Sequence, residues 1–305
     1  MKPSKTLLGS IALGFALTAA MPASAAIDIV FDYTYDTNGF FDAGKKSLME
    51  QAAQVFEARI LDTLTGFSSG GPNHFNAGFT NPGTGLPTTL SDYSIAAGRI
   101  DIFLGGRDLG AGTLGLASTS YSVSGFQSFV NNSVSRGQAG ALSNPATDYG
   151  PWGGSIAFSN TASWYVDADP TTTEAFSGYD LYSVALHEIA HLLGVGIADS
   201  WDAHRSGLSF NGPASMAANG GNPVALADDG HWKEGTLSKF GLTVQEALMT
   251  PTIAAGQRQY FTDLDWAALT DIGWQIAPVP EPETYAMMLL GLGLIGIAAR
   301  RRRGR

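Results

Sequence analysis

The stretch Tyr182-Ser183-Val184-Ala185-Leu186-His187-Glu188-Ile189-Ala190-His191-Leu192-Leu193-Gly194 reads H-E-x-x-H inside an apolar run. On a helix, residues i and i+4 stand one above the other on a single face. His187 and His191 so placed can grip one zinc ion, with Glu188 beside the open coordination position as a base. Such a centre makes hydroxide at neutral pH and can cut a peptide bond. A chance H-E-x-x-H on a solvated helix is the bland alternative; the apolar flanks and Gly194 argue against it.

Zinc in a hydrolase takes three protein ligands and keeps one position for water. The remaining histidines are His74, His204 and His231, and the carboxylates Glu234 and Glu246 are further candidates. His74 lies far upstream in a Gly-, Pro- and Asn-rich segment and reads as a surface residue. His231 is surrounded by Asp228, Asp229, Lys233 and Glu234, a setting that also suits an ordinary surface position. Gly194 extends the motif to H-E-x-x-H-x-x-G. A glycine there lets the chain turn sharply out of the helix and return a later residue to the metal.

This spacing resembles the metzincin signature. In its commonest form the third histidine follows three residues after the glycine, and here that position is Ile197, which cannot bind zinc. The downstream order His231-Trp232-Lys233-Glu234, then Glu246-Ala247-Leu248-Met249-Thr250-Pro251, resembles the leishmanolysin branch, where an insertion separates the helix from a distant third histidine and a Met-turn follows. The resemblance implies Zn²⁺ as cofactor, His231 as third ligand, with His204 as the alternative, and Met249 as the Met-turn residue. Ala247 to Pro251 is also similar to the matrixin Met-turn, and Asp263-Leu264-Asp265-Trp266 to Gly273 resembles the helix that follows it. Trp152-Gly153-Gly154-Ser155-Ile156-Ala157-Phe158 resembles the edge strand with which metzincins pair extended substrates.

The activity implied is that of an exported zinc-dependent endopeptidase acting on protein or peptide substrates. Glu188 takes a proton from the attacking water and passes it to the leaving amine. A gluzincin-type peptidase, with a glutamate on a later helix as third ligand, is a second enzymatic reading; Gly194 and the Met249 turn argue against it. A third is a non-catalytic cell-surface or biofilm-matrix protein on a protease-like fold, which would not need Glu188. Aspartate is plentiful enough for calcium, yet no D-x-D-x-D-G loop is present.

Both ends read as processing signals. Residues 1–25 carry Lys2 and Lys5, the apolar run Leu7 to Ala20 and then Ala23-Ser24-Ala25, the pattern of a cleaved secretory signal peptide. Residues 278–305 run Val279-Pro280-Glu281-Pro282-Glu283-Thr284, an apolar segment Tyr285 to Ala299, then Arg300 to Arg303. An apolar segment capped by arginines halts in a membrane with the basic end cytoplasmic. The order closely resembles the PEP-CTERM sorting tail of Gram-negative bacteria. That resemblance implies an exosortase-type processing enzyme as partner, transient membrane association through the tail, a cell-surface or extracellular destination and exopolysaccharide-matrix surroundings. The first strand begins at Ile27, so the expectation is a mature protein with no pro-segment.

Residues 26–277 form the expected catalytic domain, long enough for one large core. Between the two terminal segments stand 10 basic and 25 acidic residues, a net charge of −15 with histidines neutral. That balance argues against nucleic acid as a partner. There is no cysteine, so an exported chain without disulfides must rely on its core and its metal.

Ile27 to Tyr35 alternates as a strand with one buried face. Asp42 to Leu64 has helical spacing, with Asp42 as N-cap and Gly66 as stop. Ser68 to Leu86 reads as loop, Arg99 to Leu104 as a strand, and Ser118 to Arg136 as either a helix or a strand pair. Gly154 to Ser159 and Ser163 to Val166 read as short strands. The motif helix spans Asp180 to Leu193, with Ser177 or Asp180 near its start and Gly194 past its end, Gly207 to Gly230 is a Gly-rich excursion, and Leu264 to Ile272 is a final helix. Strands dominate the first half and helices the second, which makes the class α+β. The resemblance further implies a mixed twisted sheet with an active-site helix and a helical C-terminal subdomain.

Overall fold

The nine residues Arg99-Ile100-Asp101-Ile102-Phe103-Leu104-Gly105-Gly106-Arg107 explain how the layers form. Ile100, Ile102 and Leu104 enter one core, whereas Asp101 and Phe103 point to the opposite face, where Phe103 joins a second apolar cluster. A strand covered on both sides must lie inside a sheet with packing layers above and below. The computed structural model describes residues 27–172 and 174–278. The expected signal peptide and the apolar, arginine-capped part of the tail lie outside these residues. Among the described residues no helix is long and apolar enough to cross a membrane.

The first half contains β1 (Asp28–Asp32), α1 (Ala43–Glu57), β2 (His74–Thr80), β3 (Pro87–Leu90), β4 (Arg99–Arg107), β5 (Gly115–Ser118), β6 (Ser120–Ser124), α2 (Gln127–Ser135) and β7 (Gly153–Ser159). Two-residue strands β8 (Trp164–Tyr165) and β9 (Tyr179–Asp180) lead into α3 (Leu181–Leu192). Then come α4 (Asp199–Asp202), β10 (Ser209–Phe210), α5 (Pro213–Ala218), β11 (Val224–Ala225), the hairpin β12 (Leu237–Phe240) and β13 (Thr243–Glu246), and α6 (Asp263–Asp271). The architecture is α+β, with several sheets and helices.

The central sheet has the order β1-β4-β7-β5, with β5 antiparallel to three parallel strands. Helices α1 and α3 cover one face through Leu48, Ala52, Phe56, Ala185, Leu186 and Ile189, all buried. A second sheet, β3-β2-β6, covers the other face through Phe75, Ala77 and Phe79. The layering is therefore helix, sheet, sheet.

Five differences separate the structure from the sequence reading. Asp42 caps α1 by accepting the backbone N–H of Lys45, as expected, but the helix ends at Glu57 rather than Leu64. Beyond it the N–H of Leu61 is taken by the carbonyl of Gln275, and Ile60 bridges Ile276, so long-range pairing replaces the helical bonds. The segment Ser68 to Leu86, read as loop, contains β2, whose apolar residues recur every second position. Ser118 to Arg136 divides into one strand and one helix. Finally, Trp152 to Phe158 is not an edge strand. Gly153–Ser159 is buried at every position because β4 flanks it on one side and β5 on the other. The edge is the short β5, and the C-terminal part mixes helices α4 to α6 with the two small pairs β10-β11 and β12-β13 rather than being purely helical.

Candidate metal centre

Helix α3 is anchored at its start by the buried carboxylate of Asp180. It accepts the backbone N–H of Ser183 at 3.2 Å and the hydroxyl of Ser183 at 2.7 Å, and it receives Arg258 through two N–H groups at 3.1 Å each. A buried arginine fork on a capping carboxylate fixes both the helix and the segment carrying Arg258. One turn before the helix ends, His187 and His191 project from one face into a cleft. The backbone then turns at Gly194 with φ of +114°, a conformation that side chains rarely adopt; a Cβ there would meet Tyr149 and Ile272. The turn places the carbonyl of Val195 against Nδ1 of His191 at 2.8 Å.

The third histidine arrives from far along the chain. Trp201, Phe210 and Trp232 stack on one another, with ring centroids 4.2 to 5.5 Å apart. The indole of Trp201 donates to the carbonyl of Asp229 at 2.8 Å, and Arg205 holds the Asp229 carboxylate. The loop 228–232 is thereby pinned on both sides, and His231 points at the other two imidazoles. The Nε2 atoms of His187, His191 and His231 lie 3.1, 3.1 and 3.2 Å apart.

The hydrogen bonds fix what those nitrogens carry. Nδ1 of His187 donates to the carbonyl of Leu248 at 2.9 Å, Nδ1 of His191 to that of Val195, and Nδ1 of His231 to the Asp228 carboxylate at 2.8 and 2.9 Å. Carbonyls and carboxylates only accept, so each Nδ1 holds a proton, and in the neutral ring the Nε2 then presents a lone pair. Three lone pairs at this spacing have no proton to share and repel unless a cation sits among them. Three ligands of a tetrahedral ion at zinc–nitrogen lengths stand about 3.3 Å apart, close to the spacing observed. The residues therefore fit a single divalent ion with imidazole preference, each ring oriented by an outer partner. Burial, reinforced by the neighbouring imidazoles, pushes His187 well below the usual histidine range and His191 down to about 4, so both stay neutral and able to ligate.

Glu188 lines the same cleft as His187 and His231 and lies against β5. It is buried, accepts the backbone N–H of Ala117, and is raised to about 8 by burial. A Cβ on Gly115 would lie 2.5 Å from its Oε1, so only glycine leaves room for the carboxylate at that point of the edge strand. A cleft of about 470 Å³ opens here. Gly112 to Leu116 form one wall, Thr250 to Ile253 the other, and Ser183, Val184, His187 and Glu188 the floor.

Met249 is fully buried in a tight turn closed by the Thr250 N–H on the carbonyl of Ala247 at 3.3 Å. The turn lies directly behind the histidines, because its Leu248 carbonyl receives His187 and its Met249 carbonyl receives the N–H of Trp232 at 2.9 Å. The other candidates lie elsewhere. His204 donates Nε2–H to the carbonyl of Asp271 at 3.0 Å, His74 pairs with Asp92 on the surface, and Glu246 accepts the N–H of Gly235. Among the described residues, the one group of ligand-type side chains close enough to share an ion is His187, His191 and His231.

Sequence reasoning missed Asp228, which orients His231, the edge strand around Gly115, and Asp265. Asp265 is buried and receives five donors: the N–H groups of Leu248, Met249 and Thr262, the hydroxyl of Thr262 and the indole of Trp232. A signal was present, since Thr262-Asp263-Leu264-Asp265 has capping-box spacing. Burial raises Asp265 above the usual carboxylate range while its donors pull it back down.

Comparison with known proteins touches only the tail. Residues 278–303 match the family model described as the PEP-CTERM protein-sorting motif. No curated protein and no solved structure matches the chain. The C-terminus thus carries a sorting signal of exported proteins of Gram-negative bacteria, of the kind an exosortase recognises.

Proposed function

We propose that this chain is an exported zinc-dependent endopeptidase of the metzincin type. The observation that carries the reading is the triangle of Nε2 atoms 3.1 to 3.2 Å apart, with a buried glutamate next in sequence to one of them, at the floor of a cleft. A purely structural zinc site is closed by a fourth protein ligand, whereas three ligands facing a cleft leave a position open.

His187, His191 and His231 would hold the zinc ion, which when bound would supply a water acidified to a pKa of about 7 and a Lewis acid for a substrate carbonyl. Glu188 would serve as the base that accepts a proton from the attacking water and as the acid that returns it to the leaving amine, which restores the carboxylate. Its position between α3 and β5 sets it beside a peptide lying along the edge strand. Bound divalent charge stabilises the carboxylate form of a neighbouring glutamate, so Glu188 works as a base in the loaded enzyme despite the effect of burial. The wall Thr250 to Ile253 and the floor residues Ser183 and Val184 shape the space for the residue just after the cut bond.

The test is casein hydrolysis by the purified full-length chain, with and without a chelator, together with zinc stoichiometry. One zinc per chain and chelator-sensitive cleavage are expected. The Glu188→Gln variant should bind the same zinc while its rate falls by on the order of 10²- to 10⁴-fold; undiminished cleavage by that variant removes the mechanism. The sorting motif favours a second reading, a non-catalytic surface or matrix protein, which zinc binding without cleavage would support. In either case the tail directs the chain toward the cell surface, with processing by an exosortase-type enzyme and transient membrane association before it.

A further inference from the structure

The edge strand β5 runs beside α3 in the same sense. Gly115 faces Glu188, and a Cβ on Gly154 would touch both Ser118 and Leu192, four residues further along the helix. The outer edge of β5 has no partner strand in the central sheet. An extended peptide adds to such an edge through main-chain hydrogen bonds. Bound antiparallel to β5, it carries its C-terminal part toward Gly112 and the large cleft, and its N-terminal part toward Thr119 to Tyr121.

A second cavity of about 200 Å³ opens at that N-terminal end. Tyr121 and Tyr149 contribute aromatic faces to it, Val134 and Ile197 aliphatic ones, and Asp199 a carboxylate. Asp199 is exposed and makes no ion pair among the described residues, and no lysine or arginine lines the cavity. Its charge reaches both ring hydroxyls: after burial, Asp199 is among the causes that raise Tyr121 and Tyr149. An apolar, aromatic-walled cavity with two carboxylates in its lining, Asp199 and Asp148, the latter accepting the Tyr149 N–H at 2.9 Å, suits an aliphatic stem ending in a cation. The stem packs against the rings and the head meets the Asp199 carboxylate. The excess of acidic over basic residues adds attraction of the same sign.

We infer that this cavity is a substrate subsite for a lysine or arginine side chain on the N-terminal side of the cleaved bond. The inference rests on the endopeptidase reading and names its substrate class: peptides with a basic residue upstream of the cut. With a strand rise of about 3.3 Å per residue, the cavity residue Thr119, four residues from Gly115, lies far enough along to read a side chain roughly four positions before the bond.

The experiment uses the full-length zinc-loaded chain and fluorogenic peptides that differ only in having Lys, norleucine or Glu at each of the four positions before the bond. At one position kcat/KM should favour Lys over norleucine by about three- to tenfold, with Glu worst and the preference shrinking at high salt. Asp199→Asn should bring Lys down to the norleucine level. Glu50→Gln, which removes the same charge from the exposed face of α1, should leave the preference intact. Equal rates for Lys and norleucine at all four positions, or a preference that survives Asp199→Asn, overturn the subsite. The same peptides are also titrated against the Glu188→Gln variant, and their Kd values should follow the same order. If the chain cuts no peptide, the endopeptidase reading fails, while these Kd values still decide whether the cavity selects a basic side chain.

Discussion

The carboxylate of Asp265 accepts the indole N–H of Trp232 at 2.9 Å. Trp232 follows His231 directly, and Asp265 opens the last helix, so the neighbour of a candidate metal ligand is tied to a residue thirty-three positions later. The same carboxylate holds the backbone of Leu248 and Met249, whose turn in turn supports His187. One buried side chain thus sets the position of two imidazoles without touching either.

Removing it should be costly twice over. Asp265→Ala leaves five donors without their acceptor in a buried site, and losses of this kind amount to about 3–5 kcal/mol. Chemical denaturation of the chelated protein should show that loss, and zinc affinity measured by competition with a chromogenic chelator should fall as well. Stability reduced with zinc affinity untouched would show that the carboxylate supports the fold and not the centre.

The third ligand is tested by paired variants. His231→Ala should weaken zinc binding by on the order of 10²-fold or more, since even the outer partners of ligands are worth 10- to 100-fold. His204→Ala, whose ring serves the carbonyl of Asp271, should leave zinc affinity at the wild-type value. Isothermal titration of each variant checks both, and the reverse ranking would exclude His231.

Gly115→Ala addresses the edge strand. The new methyl group would lie 2.5 Å from the Glu188 carboxylate and must displace it. Zinc stoichiometry should stay at the wild-type value while kcat drops by at least tenfold. An alanine variant with wild-type kcat would mean that the carboxylate has room to move without consequence.

The pH dependence of stability follows from the same glutamate. In the chelated protein its folded pKa, about 8, lies above the ordinary value of 4.5. Its contribution is fully present below about 4.5 and is lost as pH rises through about 8, because the native state holds the proton more tightly than the unfolded chain. Glu188→Gln removes that dependence. The Tm of the chelated variant relative to wild type should therefore rise steadily between pH 5 and pH 8, and a constant difference across that range would contradict the buried position of the carboxylate.

How far the site could be read depended on distance along the chain. The helix carrying His187, Glu188 and His191 was legible because helical periodicity acts within a few residues, and so were its Asp180 cap and the turn at Gly194. β2 was missed because its glycine, asparagine and threonine content hid the alternation of Phe75, Ala77 and Phe79, which only matters once a second sheet covers them. The substrate-side edge was misplaced for a related reason. Residues 152–158 are apolar because the strand is buried between two neighbours, whereas the true edge, Gly115–Ser118, is short and nearly featureless as sequence.

By itself, the sequence determined a two-histidine grip with an adjacent carboxylate, the helix that bears it and the sorting motif at the C-terminus, all of them patterns written in neighbouring residues. Only the tertiary structure brought His231, already favoured by the resemblance, up to the other two imidazoles, gave Asp265 and Asp228 their partners, and set Glu188 against Gly115. The physical reason is that a ligand's identity along a helix follows from local backbone geometry. Its identity across forty residues of loop is decided by which aromatic side chains bury together and which buried donors find an acceptor.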